Sequence, residues 1–252
     1  GLRFMNVLKR RSNNIKDGQY VIAFSDSRAL IDISKDCGMT WTRRQPSDLP
    51  NVNEYFFSND RTRLAMSGDG RHIYCSCYMA NVGLLRSTDF LETAEPFKPD
   101  NCYSVYSIAC NGRGNLVAVV CQNSNNKYDL MLSGDYGKTW TKITDSSFSA
   151  RTLAISYDGK YMVIEGGYSY SGARISADYG KTWALKHSVI GNSFALGLSS
   201  DGKYAIAQES SSPYRMFKSS DYLGSFTEIN TAPLTSGIRA NYRFIIMNKN
   251  RL

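Results

Sequence analysis

The sequence predicts an all-β protein built from one repeated unit of short strands. An eight-residue phrase, Ser-x-Asp-x-Gly-x-Thr-Trp, occurs three times nearly unchanged, and two degenerate copies complete the series. The five copies begin at Ser34, Ser87, Ser133, Ser176 and Ser219. Their aspartates lie 53, 46, 43 and 43 residues apart, and no window of the chain shows a helical period. A period of this length, combined with short strands, indicates the four-stranded blade of a β-propeller.

A second phrase, an Asp-Gly pair followed by an apolar run, lies between the copies of the first. It occurs as Asp17-Gly18, Asp69-Gly70, Asp158-Gly159 and Asp201-Gly202, with Arg113-Gly114 at the equivalent place in the third repeat. Such pairs form hairpin turns, so one strand precedes and another follows each pair. A third strand runs into the eight-residue phrase, and a fourth leaves from its Trp or Phe. Each repeat is therefore predicted to contain four antiparallel strands.

These turns place the strands in chain order. First strands are predicted at 63–66, 152–155 and 194–197, and second strands at 20–24, 72–75, 116–120, 161–164 and 204–207. Third strands are predicted at 29–33, 84–86, 130–132, 173–175 and 216–218. We expect residues 1–252 to form a single domain.

The number of blades is left open by the C-terminal sequence. Five repeats are legible, and residues 238–241 and 243–248 read as a further strand pair. This pair either closes the ring by pairing with residues 2–8 or begins a sixth blade. Closure matters because an unpaired last strand would expose a sheet edge.

The eight-residue phrase resembles the Asp box, or BNR repeat, of sialidases and other propellers. Its aspartate can fold onto backbone N–H groups, its glycine can take the positive-φ position of the turn, and its tryptophan is expected to plug the blade. These features recur once per repeat, whereas a catalytic site occurs once. We therefore assign a structural role to Asp36, Asp89, Asp135, Asp178, Asp221, Trp41, Trp140 and Trp183.

The resemblance implies one enzymatic alternative, a sialidase-like glycoside hydrolase. Sialidases of this kind place an arginine in a Phe/Tyr-Arg-Ile-Pro segment ahead of the first box, and the counterpart here, around Arg3, lacks the proline. Glycoside hydrolysis needs a pair of carboxyl groups, for which Glu165 and Glu209 on adjacent repeats are the best candidates. Because the arginine signature fails, we expect no catalytic residues.

Composition and charge add few constraints. The formal net charge is +8, but the basic residues are scattered and no nucleic-acid motif accompanies them, so nucleic acid is not an expected partner. Only two histidines are present, His72 and His187, and neither a metal nor a cofactor is expected. His72 reads as a strand residue in the place that tyrosine occupies in other repeats. No apolar run is long enough to span a membrane.

The six cysteines lack metal-ligand spacing. Cys75 and Cys77 fall on one strand, where a mutual disulfide would be strained. Buried free thiols are the default expectation. The alternatives left open are a Cys102–Cys110 bridge or a Cys110–Cys121 bridge.

Five tyrosines mark the predicted binding face. The Asp boxes and Asp-Gly turns share one rim, so the loops between second and third strands lie on the other rim. Those loops combine tyrosine with serine and asparagine, a mixture that offers apolar faces and adaptable hydrogen bonds. The candidate ligand-binding residues are Tyr78, Tyr128, Tyr168, Tyr170 and Tyr214. We predict a non-catalytic module that binds a glycan, or alternatively a protein, on an extracellular or virion-associated assembly.

Overall fold

A computed structural model describes residues 2–7, 19–25, 31–45, 48–49, 63–76, 84–143, 150–166, 173–186, 193–209 and 215–229. Within these residues, strands form five separate four-stranded antiparallel sheets. In each sheet, strands that are consecutive in the chain are neighbours. The chain divides into two compact units, Gly1–Ile143 and Thr144–Leu252.

The first unit contains three sheets. The first sheet is formed by β1 (Leu2–Val7), β2 (Val21–Ser25), β3 (Ile31–Ser34) and β4 (Thr42–Arg44). The second consists of β5 (Arg63–Met66), β6 (Ile73–Ser76), β7 (Leu84–Ser87) and β8 (Glu95–Phe97). The third consists of β9 (Ser104–Cys110), β10 (Val117–Gln122), β11 (Tyr128–Ser133) and β12 (Thr141–Ile143).

The second unit contains two sheets. The fourth sheet is formed by β13 (Ala150–Ile155), β14 (Met162–Gly166), β15 (Ala173–Ser176) and β16 (Ala184–Lys186). The fifth consists of β17 (Ser193–Leu198), β18 (Ala205–Glu209), β19 (Met216–Ser219) and β20 (Thr227–Ile229).

The predicted blade is confirmed in all five sheets. Each third strand ends at the serine that opens an Asp box, and each fourth strand begins within a few residues of the box. Residues 2–7 are the first strand of the first sheet and pair with β2. The predicted pair at 238–248 lies outside the described residues, so the choice between closure and a sixth blade stays a prediction.

The core of each unit lies between neighbouring sheets. In the first unit, Ile22 of β2 packs with Ile73 and Cys75 of β6, and Tyr74 of β6 packs with Val117 and other residues of β10. In the second unit, Val163 of β14 packs with residues of β18 in the same way. Successive residues of a strand point to opposite faces, so each second strand contributes to packing on both sides. The fourth strands, by contrast, are largely exposed.

Candidate binding site

The aspartate of each box closes its turn, as predicted. Asp135 accepts hydrogen bonds from the Thr139 amide at 2.9 Å and the Thr139 hydroxyl at 2.6 Å. It also accepts one from the Ser133 hydroxyl at 2.8 Å, while Ser133 Oγ accepts from the Gly137 amide at 2.8 Å. The same serine–aspartate and aspartate–hydroxyl bonds occur at Asp36, Asp89, Asp178 and Asp221. The carboxylate of every box aspartate therefore accepts hydrogen bonds from its own turn.

These hydrogen bonds favour the ionised carboxylate. Led by the bond from the Thr182 hydroxyl, they lower the pKa of Asp178 from 3.8 to about 2. The pKa of Asp36 also falls to about 2, chiefly through the Thr40 hydroxyl, and that of Asp221 does so through the Ser225 hydroxyl. The shifts have a structural cause, so they do not mark these groups as catalysts.

Two consecutive residues of the box turn adopt left-handed backbone conformation, whereas the sequence predicted this for the glycine alone. Tyr136 has φ 64° and Gly137 has φ 77°. In the degenerate boxes the glycine position is held by Leu91 and Leu223, with φ 62° and 68°. Both leucine side chains are only 1% exposed and join the core clusters, so apolar burial offsets the backbone strain.

The three box tryptophans, predicted to plug the blades, lie in different environments. Trp41 is 40% exposed, and its indole N–H donates to the carbonyl oxygen of Gly38 at 2.9 Å. Trp183 makes the same bond to Gly180 at 3.0 Å. Trp140 packs against the core cluster of the second and third sheets. Trp140 therefore packs between blades, whereas Trp41 folds back over its own turn and is partly exposed.

The Asp-Gly turns carry a serine that the sequence analysis missed. Ser67 Oγ donates to Asp69 at 2.6 Å and accepts from the His72 amide at 2.9 Å. Ser156 and Ser199 repeat both bonds. The box meets this turn through a backbone bond, from the Phe90 amide to the Arg71 carbonyl in the second sheet, at 3.2 Å, and equivalent bonds occur in the other sheets. The two kinds of turn therefore share one rim, as predicted.

Aromatic pairs join neighbouring blades at this box rim. Tyr20 of the first sheet stacks on Phe90 of the second, with ring centroids 4.7 Å apart. His72 of the second sheet lies 4.6 Å from Tyr136 of the third, and Tyr161 of the fourth lies 5.2 Å from Tyr222 of the fifth. His72 thus takes the place of a tyrosine, as expected. The signal available in sequence was the aromatic residue that follows the aspartate of most boxes.

Of the five tyrosines predicted to bind ligand, one falls in the described part of the chain. Tyr78, Tyr168, Tyr170 and Tyr214 lie outside the described residues. Tyr128 opens β11 and is half-buried. Its ring contacts the ring of Tyr106 edge to face, with centroids 4.9 Å apart and planes at 76°. Sequence analysis missed Tyr106, which lies on β9, the first strand of the same sheet, with β10 between β9 and β11.

A β-bulge determines the position of Tyr106. Val105 pairs with Cys121 and Ser107 pairs with Val120, so Tyr106 is the extra residue of β9. The register skips in the same way at Arg151 in β13 and at Phe194 in β17. Bulges bend the strand and redirect a side chain, and they are common beside binding sites. No pattern in the sequence predicted these bulges.

The hairpin between β10 and β11 is held by its own side chains. Asn123 Oδ1 accepts from the amides of Asn125 and Lys127 at 2.9 and 3.1 Å. Asn123 Nδ2 donates to Asp129 at 2.9 Å, and Asp129 also pairs with Lys142 at 2.9 Å. The buried Asp129 carboxylate is therefore paired with a cation, and side chains of the hairpin itself hold its turn.

Two further contacts extend this surface. The Tyr106 hydroxyl and the Gln122 side-chain oxygen lie 3.4 Å apart, and Gln122 in turn bonds to Asn126 at 3.4 Å. Tyr103 is 43% exposed, and its amide donates to the Gln122 carbonyl at 2.8 Å. We call Tyr103, Tyr106, Gln122, Asn126 and Tyr128 the third-blade platform.

Of the candidate carboxyl pair, the structure describes the side chain of Glu165 alone. Glu165 lies in β14 between Thr152 and Ala173 and is only 1% exposed. Glu209 ends β18 opposite Ser193. A carboxylate this buried is out of reach of a glycosidic bond at the surface.

The described residues contain no group of three or more His, Cys, Asp or Glu side chains placed to hold a metal ion. They also contain no helix long and apolar enough to cross a membrane.

Comparison with known proteins identifies the fold. No family model and no curated protein matches the chain. Among solved structures, a GH74 enzyme from Niastella koreensis is similar over 83% of this chain and 36% of its own, at 18% identity and a TM-score of 0.58. This chain thus spans about a third of that enzyme.

Two further solved structures lead to the same conclusion. The structure of a nidogen/laminin complex matches over 90% of this chain and 76% of that one, at 9% identity and a TM-score of 0.60. The WD40 repeats of RRP9 match over 90% and 66%, at 9% identity and a TM-score of 0.61. Likeness at this level of identity shows the fold alone, which is the β-propeller.

Proposed function

We propose that this chain is a non-catalytic Asp-box propeller that binds a carbohydrate on the rim opposite the boxes. The observation that carries the proposal is the edge-to-face pair of Tyr106 and Tyr128, set beside the Gln122 and Asn126 amides. An extracellular or virion-associated location is part of this proposal.

The chemistry of the third-blade platform suits a sugar. Tyrosine rings offer flat apolar faces to the C–H groups of a pyranose, and side-chain amides both donate to and accept from its hydroxyls. The hairpin is already ordered by Asn123, so binding costs little conformational entropy. A surface of this kind selects by shape and hydrogen bonding, with no need for a charged ligand.

The test is a glycan array probed with the purified chain, followed by affinity measurements on the best ligand. Tyr128→Ala should weaken binding by about 1 to 2 kcal/mol, roughly five- to thirty-fold, without unfolding the protein. Lys138→Ala on the box rim is the matched control and should bind as the wild type does. Binding that survives Tyr128→Ala and Tyr106→Ala but disappears with Lys138→Ala would overturn the proposal.

Protein docking on the box rim is a second candidate, supported by a separate observation. Two exposed aromatic side chains, Tyr179 and Tyr222, lie on that rim in the second unit. Exposed aromatic residues are frequent anchors of protein interfaces. If Tyr222→Ala abolishes capture of a protein partner while Tyr128→Ala has no effect, this second function holds and the carbohydrate proposal does not.

A further inference from the structure

Two buried cysteines lie directly beneath the third-blade platform. Cys102 immediately precedes Tyr103, and Cys121 immediately precedes Gln122. The Tyr103 amide donates to the Gln122 carbonyl at 2.8 Å, so the two segments run side by side. Both cysteines belong to the core cluster of the second and third sheets, and interaction with the Cys102 thiol is the largest cause of the raised pKa of the Cys121 thiol. The two sulfur atoms are therefore neighbours.

The strand register rules out both bridges that the sequence left open. Cys110 pairs with Val117, four residues before Cys121 along β10. At about 3.3 Å per residue these positions are roughly 13 Å apart, beyond the reach of about 7 Å between disulfide-linked Cα atoms. Cys102 precedes β9 and Cys110 ends it, so a whole extended strand separates them. Cys110 is not the partner of either cysteine.

We propose that Cys102 and Cys121 form a disulfide when the chain folds in an oxidising environment, and that this bond fixes the third-blade platform. One thiolate attacks a small-molecule disulfide such as oxidised glutathione, forms a mixed disulfide and releases one glutathione thiol. The second thiolate then attacks the protein sulfur of the mixed disulfide and releases the other glutathione thiol. The two cysteines lose two protons and two electrons, and oxidised glutathione takes up both.

The surroundings of the pair determine when this reaction occurs. Interaction with the Cys102 thiol, together with burial, raises the pKa of the Cys121 thiol far above its ordinary value. Thiolate is the attacking species, so exchange is slow once the blade has folded. The bond therefore forms before burial is complete, and the same burial then protects it from reductants.

The bond would tie the segment that bears Tyr103 to the strand that bears Gln122. The platform would then lose less conformational entropy when a ligand binds, which raises affinity. This consequence rests on the proposed function, whereas the existence of the bond does not.

The test is to refold the full chain in glutathione redox buffer, alkylate the remaining thiols and map the peptides by mass spectrometry. We expect Cys102 linked to Cys121. Cys110→Ser, the matched control, should leave that bond intact, and Cys121→Ser should leave Cys102 alkylated. Alkylation of all six cysteines after oxidative refolding, or a bridge to Cys110, would overturn the proposal.

A second readout separates the bond from the function of the platform. For a glycan bound by the wild type, the Cys102→Ser and Cys121→Ser variants should each bind roughly five-fold more weakly than the oxidised protein. Equal affinities with a mapped bond would overturn the claim that the bond fixes the platform. If the bond maps but no glycan binds, the carbohydrate function fails and the disulfide stands. If no Cys102–Cys121 bond is mapped but Tyr128→Ala still weakens glycan binding, the disulfide proposal fails and the carbohydrate function stands.

Discussion

At the scale of single residues, the boxes show that one sequence motif can hold side chains in unequal environments. Trp140 and Trp41 occupy the same motif position. Trp140 lies against Phe97, with ring centroids 5.8 Å apart and planes at 12°, and packs on the core cluster. Trp41 is an exposed side chain of the first sheet. The motif predicted the turn correctly, but the burial of its last residue depends on what the neighbouring sheet places there.

The two tryptophans should therefore differ in their contribution to stability. Trp140→Ala removes a packed aromatic side chain and should lower the free energy of unfolding by about 3 kcal/mol. Trp41→Ala removes a side chain that is 40% exposed, together with its indole hydrogen bond, so its cost should be smaller, about 1 kcal/mol. Urea midpoints of the two variants measure the difference. Equal losses at both positions would show that Trp41 is also a blade plug.

At the scale of elements, the strands of each blade were predictable from sequence, whereas the bulges and the contacts between blades were not. The repeated Asp-Gly turns and Asp boxes fix where each strand ends, so strand positions such as 63–66 could be read directly. The bulge at Tyr106 and the stacking of Tyr20 on Phe90 depend on pairing between segments far apart in the chain. A single sequence with no structure gives no register for such pairs.

The aromatic contacts between neighbouring sheets leave no room for a side chain at one glycine of the Asp-Gly turns. Gly70 has φ +74°, and a Cβ added there would lie 2.5 Å from Cγ of the Tyr20 ring in the neighbouring sheet. Gly70→Ala therefore adds backbone strain and a steric clash, and should destabilise the protein by about 1 to 3 kcal/mol. Thermal unfolding followed by circular dichroism measures the loss.

Gly134 provides the matched control for this change. It lies in a box turn, and an added Cβ would have no neighbour within 4 Å. Gly134→Ala should leave the melting temperature within a few degrees of the wild type. If Gly134→Ala is as destabilising as Gly70→Ala, the loss comes from turn flexibility in general and the contact with Tyr20 is not its cause.

At the scale of the whole molecule, the binding rim could be predicted only in outline. Strand order alone placed the boxes on one rim and Tyr128 on the other. The side chains that complete the platform, Tyr106 from a bulge and Tyr103 from the segment between sheets, could not be found from their own sequence context. Sites assembled from several segments are in general harder to find in sequence than turns built from one.

The repeated boxes also determine how the molecule responds to acid. The carboxylates of Asp36, Asp178 and Asp221 have pKa values lowered to about 2 by hydrogen bonds within the folded turn. A group whose pKa is lower in the folded state stabilises the fold above its unfolded pKa, about 3.9, and the contribution is lost as the pH falls towards 2. Because the same turn recurs along the chain, these losses fall in one pH window. Urea midpoints should therefore decline steeply between about pH 4 and pH 2.

One hydroxyl tests this explanation. The Thr182 hydroxyl is the largest cause of the low pKa of Asp178, so Thr182→Val should move that pKa back towards 3.8. The pKa can be read from the carboxyl carbon by NMR titration, and the acid decline in urea midpoints should become shallower. Thr141→Val, on the exposed outer strand β12, is the control and should leave both unchanged. If Asp178 titrates at the same pH in Thr182→Val and in the wild type, the box turns are not what makes the fold sensitive to acid.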